Sequence, residues 1–369
     1  MRPEPLDLPA FAIPDTVETP AVCVVEPTMQ RNIEGMVAAL GRRGVGCRPH
    51  TKSHKSIEIA RRQMAAGCVG VTTATLGEAE VLVGGGVLDV LVAYPIWFTR
   101  DKARRLLALS ECATVTVGVS SRAGAENLTH HLAGSAVRVA IEIESGENRT
   151  GVEYPADALE IARLLADAHI RVTGVFAHGG HSYAGGEMVA RAARDESRVL
   201  LDAAAALRDV GVAVELVSAG STPTALLSAV DGVTEERPGT YVFGDRQQCV
   251  LGAQNPADVA LFVAGTVVQV AGPYFVLDVG AKILTKDLPA TVEGYGALPA
   301  YPRAMIERVY DHHGVVHARG GALPRPGERF AVVPNHVCPV VNLTRELVVL
   351  NAGYAEIDHW TVDAGLANS

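Results

Sequence analysis

The chain has 369 residues, of which 48% are apolar and 20% charged, with a formal net charge of −9 and a pI near 5.7. This composition supports a large buried core, suits two domains and excludes extensive disorder. No basic stretch points to nucleic acid or an anionic membrane surface, and no run of about 18 apolar residues suggests a membrane span. Met1 to Pro20 is proline-rich and acidic, without the basic start and apolar stretch of a signal peptide. The six cysteines are scattered with no CxxC spacing, so reduced thiols in a cytoplasm are expected.

From Ala21 to about Asp245 strand-like and helix-like segments alternate. Ala21–Glu26 is an apolar run, followed by a helical pattern from Thr28 to Arg43 with Met29, Ile33, Met36, Val37 and Leu40 on one face. Cys47–His50 and Gly70–Ala74 read as short strands, and Thr75-Leu76-Gly77-Glu78 as a capping box opening the next helix. Further strands are expected at 89–95, 114–120, 137–144, 171–178 and 214–220, with a short one near Gly232–Glu235. Pro155 opens a helix, and Glu196 to Val210 forms another, with Val199, Ala203 and Leu207 on its apolar face. Continuous apolar strands separated by helices imply a parallel sheet covered on both faces, and eight or nine of them fit an α/β (β/α)8 barrel over residues 21–254. A doubly wound sheet is the alternative. It would more naturally carry a glycine-rich loop after the first strand, where Glu26-Pro27-Thr28-Met29 stands. Beyond Asn255 strand-like runs with glycine and proline turns replace the alternation. Residues 255–369, with 1–20 added, are expected to form an all-β domain.

The segment Arg48-Pro49-His50-Thr51-Lys52-Ser53-His54-Lys55-Ser56 holds two of only five lysines in the chain. An isolated lysine reads as a surface cation. Here the lysines lie between a strand and a helix, and a deprotonated lysine amine, unlike arginine, condenses with an aldehyde. Gly220-Ser221-Thr222-Pro223 ends a strand before an expected helix and offers backbone N–H groups and hydroxyls to an anion. Pro334-Asn335-His336-Val337-Cys338-Pro339 lies in a strand-like run. Residues i and i+2 of a strand share a face, so His336 and Cys338 can grip one ion together. Imidazole with thiolate suits Zn²⁺, whereas Mn²⁺ or Mg²⁺ prefers a harder set.

These segments resemble the D-threonine aldolase and D-serine dehydratase family, which has the alanine-racemase-like fold type of pyridoxal-phosphate enzymes. The likeness runs from Thr19-Pro20 to about Val362. It implies that Lys52, rather than Lys55, carries pyridoxal 5′-phosphate, with His50 in the same segment. Ile141–Glu144 with Gly146, Asn148, Arg149 and Gly151 resembles the strand end whose arginine faces the cofactor ring. Ala177-His178-Gly179-Gly180-His181-Ser182-Tyr183 resembles the next strand end, with a dehydratase-like His-Ser-Tyr ending. Tyr183 is then placed near the pyridine nitrogen, against the alternative of a core aromatic. Gly220–Thr224 and Arg237-Pro238-Gly239-Thr240-Tyr241 resemble the two phosphate-holding turns, through Ser221, Thr222, Gly239 and Thr240. Leu277–Lys282 matches a structural turn. Tyr310-Asp311-His312-His313-Gly314 departs from the pattern, because His312 stands where an acid is common.

The resemblance implies a homodimeric lyase on D-configured β-hydroxy amino acids. Cysteine at the second metal position implies the dehydratase type, which releases a 2-oxo acid and ammonia. Lys52 would take the α-proton, and the metal on His336 and Cys338 would help the β-hydroxyl leave. An aldolase giving glycine and an aldehyde, with His178 or His181 as base, is the alternative. An amino-acid racemase needs a second base on the opposite face, and a non-catalytic cofactor carrier has no use for a second domain.

Overall fold

The computed structural model describes residues 6–153 and 155–369. Residues 1–5, part of the expected N-terminal addition to the β domain, lie outside them. The chain divides into two compact units. One comprises Glu34–Lys52, Ile59–Gly239 and Leu366–Ser369; the other comprises the chain up to Ile33, Ser53–Glu58 and Thr240–Gly365.

The strands are β1 (Ala21–Val25), β2 (Gly46–Cys47), β3 (Val71–Thr73), β4 (Asp89–Val92), β5 (Thr114–Val119), β6 (Arg138–Glu142), β7 (Arg171–Phe176), β8 (Leu216–Ala219) and β9 (Glu235–Glu236). They continue with β10 (Leu261–Ala271), β11 (Tyr274–Leu277), β12 (Met305–Val309), β13 (Gly314–His317), β14 (Arg329–Val332), β15 (Glu346–Leu350) and β16 (Glu356–Thr361).

In the first unit eight strands run parallel in the order β2-β9-β8-β7-β6-β5-β4-β3. The two ends of this sheet meet through a parallel bridge between His50 and Thr72, supported by the Thr72 N–H donating to the Pro49 carbonyl at 2.8 Å. The expected alanine-racemase-like barrel is thus present, and its strands are apolar because both faces are covered. Leu91, Ala140 and Phe176 pack together inside it. The capping box forms as expected. Thr75 Oγ1 accepts the Glu78 N–H at 3.1 Å, while Glu78 Oε2 takes the Ala74 N–H at 2.7 Å. The helix expected from Glu196 begins earlier and spans Glu187–Asp209, after the left-handed pair Gly185-Gly186.

One strand departs from the expectation. β1 does not open the barrel. It lies in the sheet of the second unit, antiparallel to β10 and parallel to β15, in the order β12-β13-β11-β10-β1-β15-β16 with β14 also on β10. An apolar run satisfies either sheet equally, and here Cys23 and Val25 pack on Phe262, Ala264 and Leu350, with Phe11 and Ile13 against them. The second unit is mostly β and not all β, since helices Ala281–Leu284 and Val337–Leu343 interrupt its strands. Among the described residues no helix is long and apolar enough to cross a membrane.

Candidate active site and metal pair

In parallel barrels reactive groups gather where strands end at their carboxyl termini. The chain after β2 carries Arg48, His50 and Lys52. Arg48 is buried and anchors the segment: its Nε lies 2.7 Å from Glu235 Oε2, and a terminal nitrogen 2.6 Å from Asp89 Oδ1. His50, also buried, closes the barrel and stacks edge-on to Tyr94 at 6.3 Å between centroids. Lys52 lies in the single 3-10 turn Thr51–Ser53, with Nζ 5.8 Å from the centroid of the Tyr94 ring. The Arg149 guanidinium is 6.0 Å from that same centroid. Tyr94 therefore lines a face shared by Lys52, Arg149 and His50. Sequence reasoning missed it, because no motif surrounds it.

Arg149 lies on a loop after β6 that Glu144 folds back by accepting the Gly146 and Asn148 N–H groups. Glu147 on this loop approaches Arg149 to 3.4 Å, and burial raises its carboxyl above the usual range. After β7, His178 donates from Nδ1 to the Gly220 carbonyl at 3.2 Å, leaving Nε2 with a lone pair. Burial, with the charges of Lys52, Arg149 and Arg237, pushes His178 down to about 3. It is a neutral imidazole near pH 7 and a weak base. His181 and Tyr183 share the 3-10 turn Gly180–Ala184. Neither His181 ring nitrogen has a hydrogen-bond partner, and Nε2 lies 3.7 Å from Asp195 Oδ2.

The turn after β8 holds Ser221 and Thr222, both buried. Gly220 adopts φ +119°, and a Cβ there would lie 2.5 Å from Glu236 Oε2. The turn leads into a single helical turn, Ala225–Ser228, and not the full helix expected at Pro223. The turn therefore offers hydroxyls, rather than the terminus of a full helix, to an anion. Gly239 ends the long barrel segment Ile59–Gly239. Thr240 begins the next segment, buried, with its carbonyl accepting the Gly244 N–H at 2.9 Å.

In the second unit His336 and Cys338 are not on a strand. β14 stops at Val332, His336 is the N-cap of helix Val337–Leu343, and Cys338 lies in its first turn. The helix starts there because buried Asp245 accepts the Val337 N–H at 3.1 Å, a capping contact made from elsewhere in the chain. The two side chains still meet. Burial lowers the His336 pKa, but Cys338, Asp287 and Asp245 outweigh it and hold the imidazole well above its usual value. His336 Nδ1 lies 2.8 Å from Asp287 Oδ2, and the ring also hydrogen-bonds with the Cys338 side chain. Asn335 ties the loops together by donating to the Asp287 and Gly294 carbonyls at 3.2 and 2.8 Å. Among the described residues no group of three or more His, Cys, Asp or Glu gathers to hold a metal, so the protein offers a pair.

Lys55 has its own partner. It is buried, left-handed at φ +52°, and donates from Nζ to Asn342 Oδ1 at 2.7 Å, on the helix that begins at His336. Segments 277–282 and 310–314 form one turn: Ala281 N–H donates to the Tyr310 carbonyl at 2.7 Å and Lys282 N–H to that of Asp311 at 2.9 Å.

The donor set fits pyridoxal phosphate: an amine, a guanidinium over an aromatic face, a neutral imidazole and two buried hydroxyls, all beyond barrel strand ends. Residues 26–247 match the model of the alanine racemase N-terminal domain, and residues 260–350 that of the putative serine dehydratase domain. The chain belongs to this family of pyridoxal-phosphate-dependent lyases. It is 34% identical to D-threo-3-hydroxyaspartate dehydratase of Delftia sp. (strain HT23), over 88% of this chain and 91% of that one. It is 30% identical to D-threonine aldolase of an Arthrobacter species, over 94% and 93%. The solved structure of the Delftia dehydratase superposes with a TM-score of 0.87 at 33% identity, covering 94% of this chain and 97% of that one, and a variant of that enzyme is described in a metal-free form.

Proposed function

We propose that the chain is a metal-assisted D-β-hydroxy amino acid ammonia-lyase that yields a 2-oxo acid and ammonia. The observation that carries this reading is the His336–Cys338 pair, whose imidazole is already oriented by Asp287 at 2.8 Å. Imidazole and thiolate favour Zn²⁺ over Mn²⁺ or Mg²⁺, and two protein ligands leave positions for water and substrate. When bound, pyridoxal phosphate supplies an electron sink at Cα and the metal a Lewis acid for the β-hydroxyl.

The protein's own groups divide the remaining work. Lys52 binds the cofactor aldehyde and, once displaced, takes the α-proton on Nζ. Ser221, Thr222, Gly239 and Thr240 hold the phosphate. Arg149 would face the ring in place of an acid on its nitrogen, which would moderate the electron withdrawal, and Tyr183 would serve near that nitrogen. His50 supports the Lys52 segment. His181, next to Asp195, would protonate the departing β-hydroxyl so that it leaves as water, and in the aldolase alternative would serve as the base. Neutral His178 orients the turn at Gly220 through its Nδ1 hydrogen bond. A homodimer in the cytoplasm is the assembly and location we infer from the family and the scattered thiols.

The relative that dehydrates D-threo-3-hydroxyaspartate makes D-configured 3-hydroxy acids the first substrates to try, and the aldolase relative supports cleavage to glycine and an aldehyde as a second reading. Incubation with D-threonine, with and without a chelator, separates them. 2-Oxobutyrate and ammonia, lost on chelation, support the lyase reading. Glycine and acetaldehyde overturn it in favour of the aldolase.

A further inference from the structure

Glu196 lies on the apolar face of helix Glu187–Asp209 beside Val199, Leu200, Ala203 and Leu207, and is fully buried. A buried carboxyl needs partners, and these are specific. Oε1 accepts the N–H groups of Gly220 at 2.8 Å and Gly179 at 3.1 Å. Oε2 is 3.1 Å from Thr224 Oγ1. Thr224 Oγ1 in turn accepts the Ser221 N–H at 3.1 Å and lies 2.9 Å from Ser221 Oγ. A chain of contacts thus runs from Glu196 through Thr224 to the Ser221 hydroxyl.

Each hydroxyl has one proton, so the direction of this chain is fixed at its inner end. If Glu196 is a carboxylate, Thr224 donates to it and is left as an acceptor toward Ser221, which draws the Ser221 proton inward. If Glu196 is neutral, its Oε2–H donates to Thr224, Thr224 donates to Ser221, and the Ser221 proton is released outward. A phosphate accepts, so the second arrangement alone spends the Thr224 proton on Ser221 and commits the Ser221 proton outward. The surroundings shift Glu196 toward the neutral form. Glu236 lies close by, with Oε1 taking the Ser228 hydroxyl at 2.8 Å and Oε2 without a partner. Burial raises both carboxyls; the Gly220 N–H, Arg237, Thr224 and the Gly179 N–H offset this only in part at Glu196, as Ser228 and Arg237 do at Glu236. A dianionic phosphate at the turn adds to the same effect.

We propose that Glu196 is a positioning residue for the cofactor phosphate, its neutral carboxyl turning the Ser221 hydroxyl outward as a donor through Thr224. This rests on the reading of Ser221 as a phosphate ligand. The test compares dissociation constants for pyridoxal phosphate and for pyridoxal, which lacks the phosphate, by equilibrium dialysis of the purified protein. Their ratio isolates the phosphate contribution, because both aldehydes condense alike. Ser221→Ala should lower the phosphate preference about tenfold. Thr224→Val should lower it equally, and Thr224→Ser should restore it. Glu196→Gln, whose amide donates permanently to Thr224 while its carbonyl keeps both N–H groups, should hold the preference within about threefold of the parent. A Glu196→Gln protein as weak as Ser221→Ala overturns the proposal. So does an unchanged preference in Thr224→Val where Ser221→Ala loses it. An unchanged preference in Ser221→Ala overturns the phosphate assignment itself, and the relay with it.

Discussion

Asp287 Oδ2 and His336 Nδ1 stand 2.8 Å apart, and this contact leaves Nε2 as the imidazole nitrogen for a metal. A carboxylate behind a ligating histidine fixes its tautomer and makes the free nitrogen a better donor to a metal. Asp287→Ala should therefore weaken Zn²⁺ binding by about 10- to 100-fold while leaving the fold intact. Competition with a metal-sensitive chelating dye measures this without any turnover. An unchanged affinity would remove His336 from the metal.

The two lysines of the segment after β2 should separate cleanly. Lys52→Met should abolish the near-visible absorbance of bound pyridoxal phosphate with little change in unfolding midpoint. Lys55→Met should keep the absorbance but cost about 2 kcal/mol, because its buried ammonium donates to Asn342 at 2.7 Å. Spectra and urea denaturation of both variants give the comparison. The reverse pattern would move the cofactor to Lys55.

Gly174 in β7 has no room for a side chain. A Cβ there would lie 1.8 Å from the Leu216 carbonyl oxygen and 2.6 Å from its carbon, which are backbone atoms of β8. Gly174→Ala should push the two strands apart and cost about 3 kcal/mol or more, read as a lowered urea midpoint.

His178 gives the folded protein a pH dependence of known sign. Its pKa falls from 6.5 to about 3, so between those values the unfolded chain binds the extra proton. Stability from this residue is complete above 6.5 and is lost as pH falls toward 3, with a slope approaching about 1.4 kcal/mol per pH unit. Asp245, raised by burial from 3.8 to about 6, acts in the opposite sense, favouring the fold at low pH and losing that share as pH rises through 6. His178→Asn leaves the Asp245 share in place, so the difference in urea midpoints across pH about 4 to 7 isolates His178. Parallel curves would show that the imidazole charges without penalty in the fold.

The barrel was legible because parallel strands covered on both faces are largely apolar, and β3 to β8 read as apolar-rich runs between helices. β1 was not, since its five apolar residues fit either sheet and only its partners β10 and β15 decide. His336 and Cys338 were legible as ligand types, but their backbone was not. Val332, Val333 and Val337 suggest a continuing strand, and the helix is started by Asp245, a residue far away in sequence. Glu196 left a signal, a carboxyl in register with Val199, Ala203 and Leu207. Tyr94 and Asp287 left none, because each gains its role only from what folding brings beside it.

The placement of β1 also sets an order of events. Its residues leave the ribosome long before Phe262 and Val348, with which Cys23 pairs. Strands β2 to β9 lie together in the chain and can assemble while synthesis continues, but Ala-Val-Cys-Val-Val must wait with both edges bare. Such an edge recruits other strands. The nascent chain is therefore most exposed to misassembly at β1, and a shortened product lacking β15 would display that edge permanently.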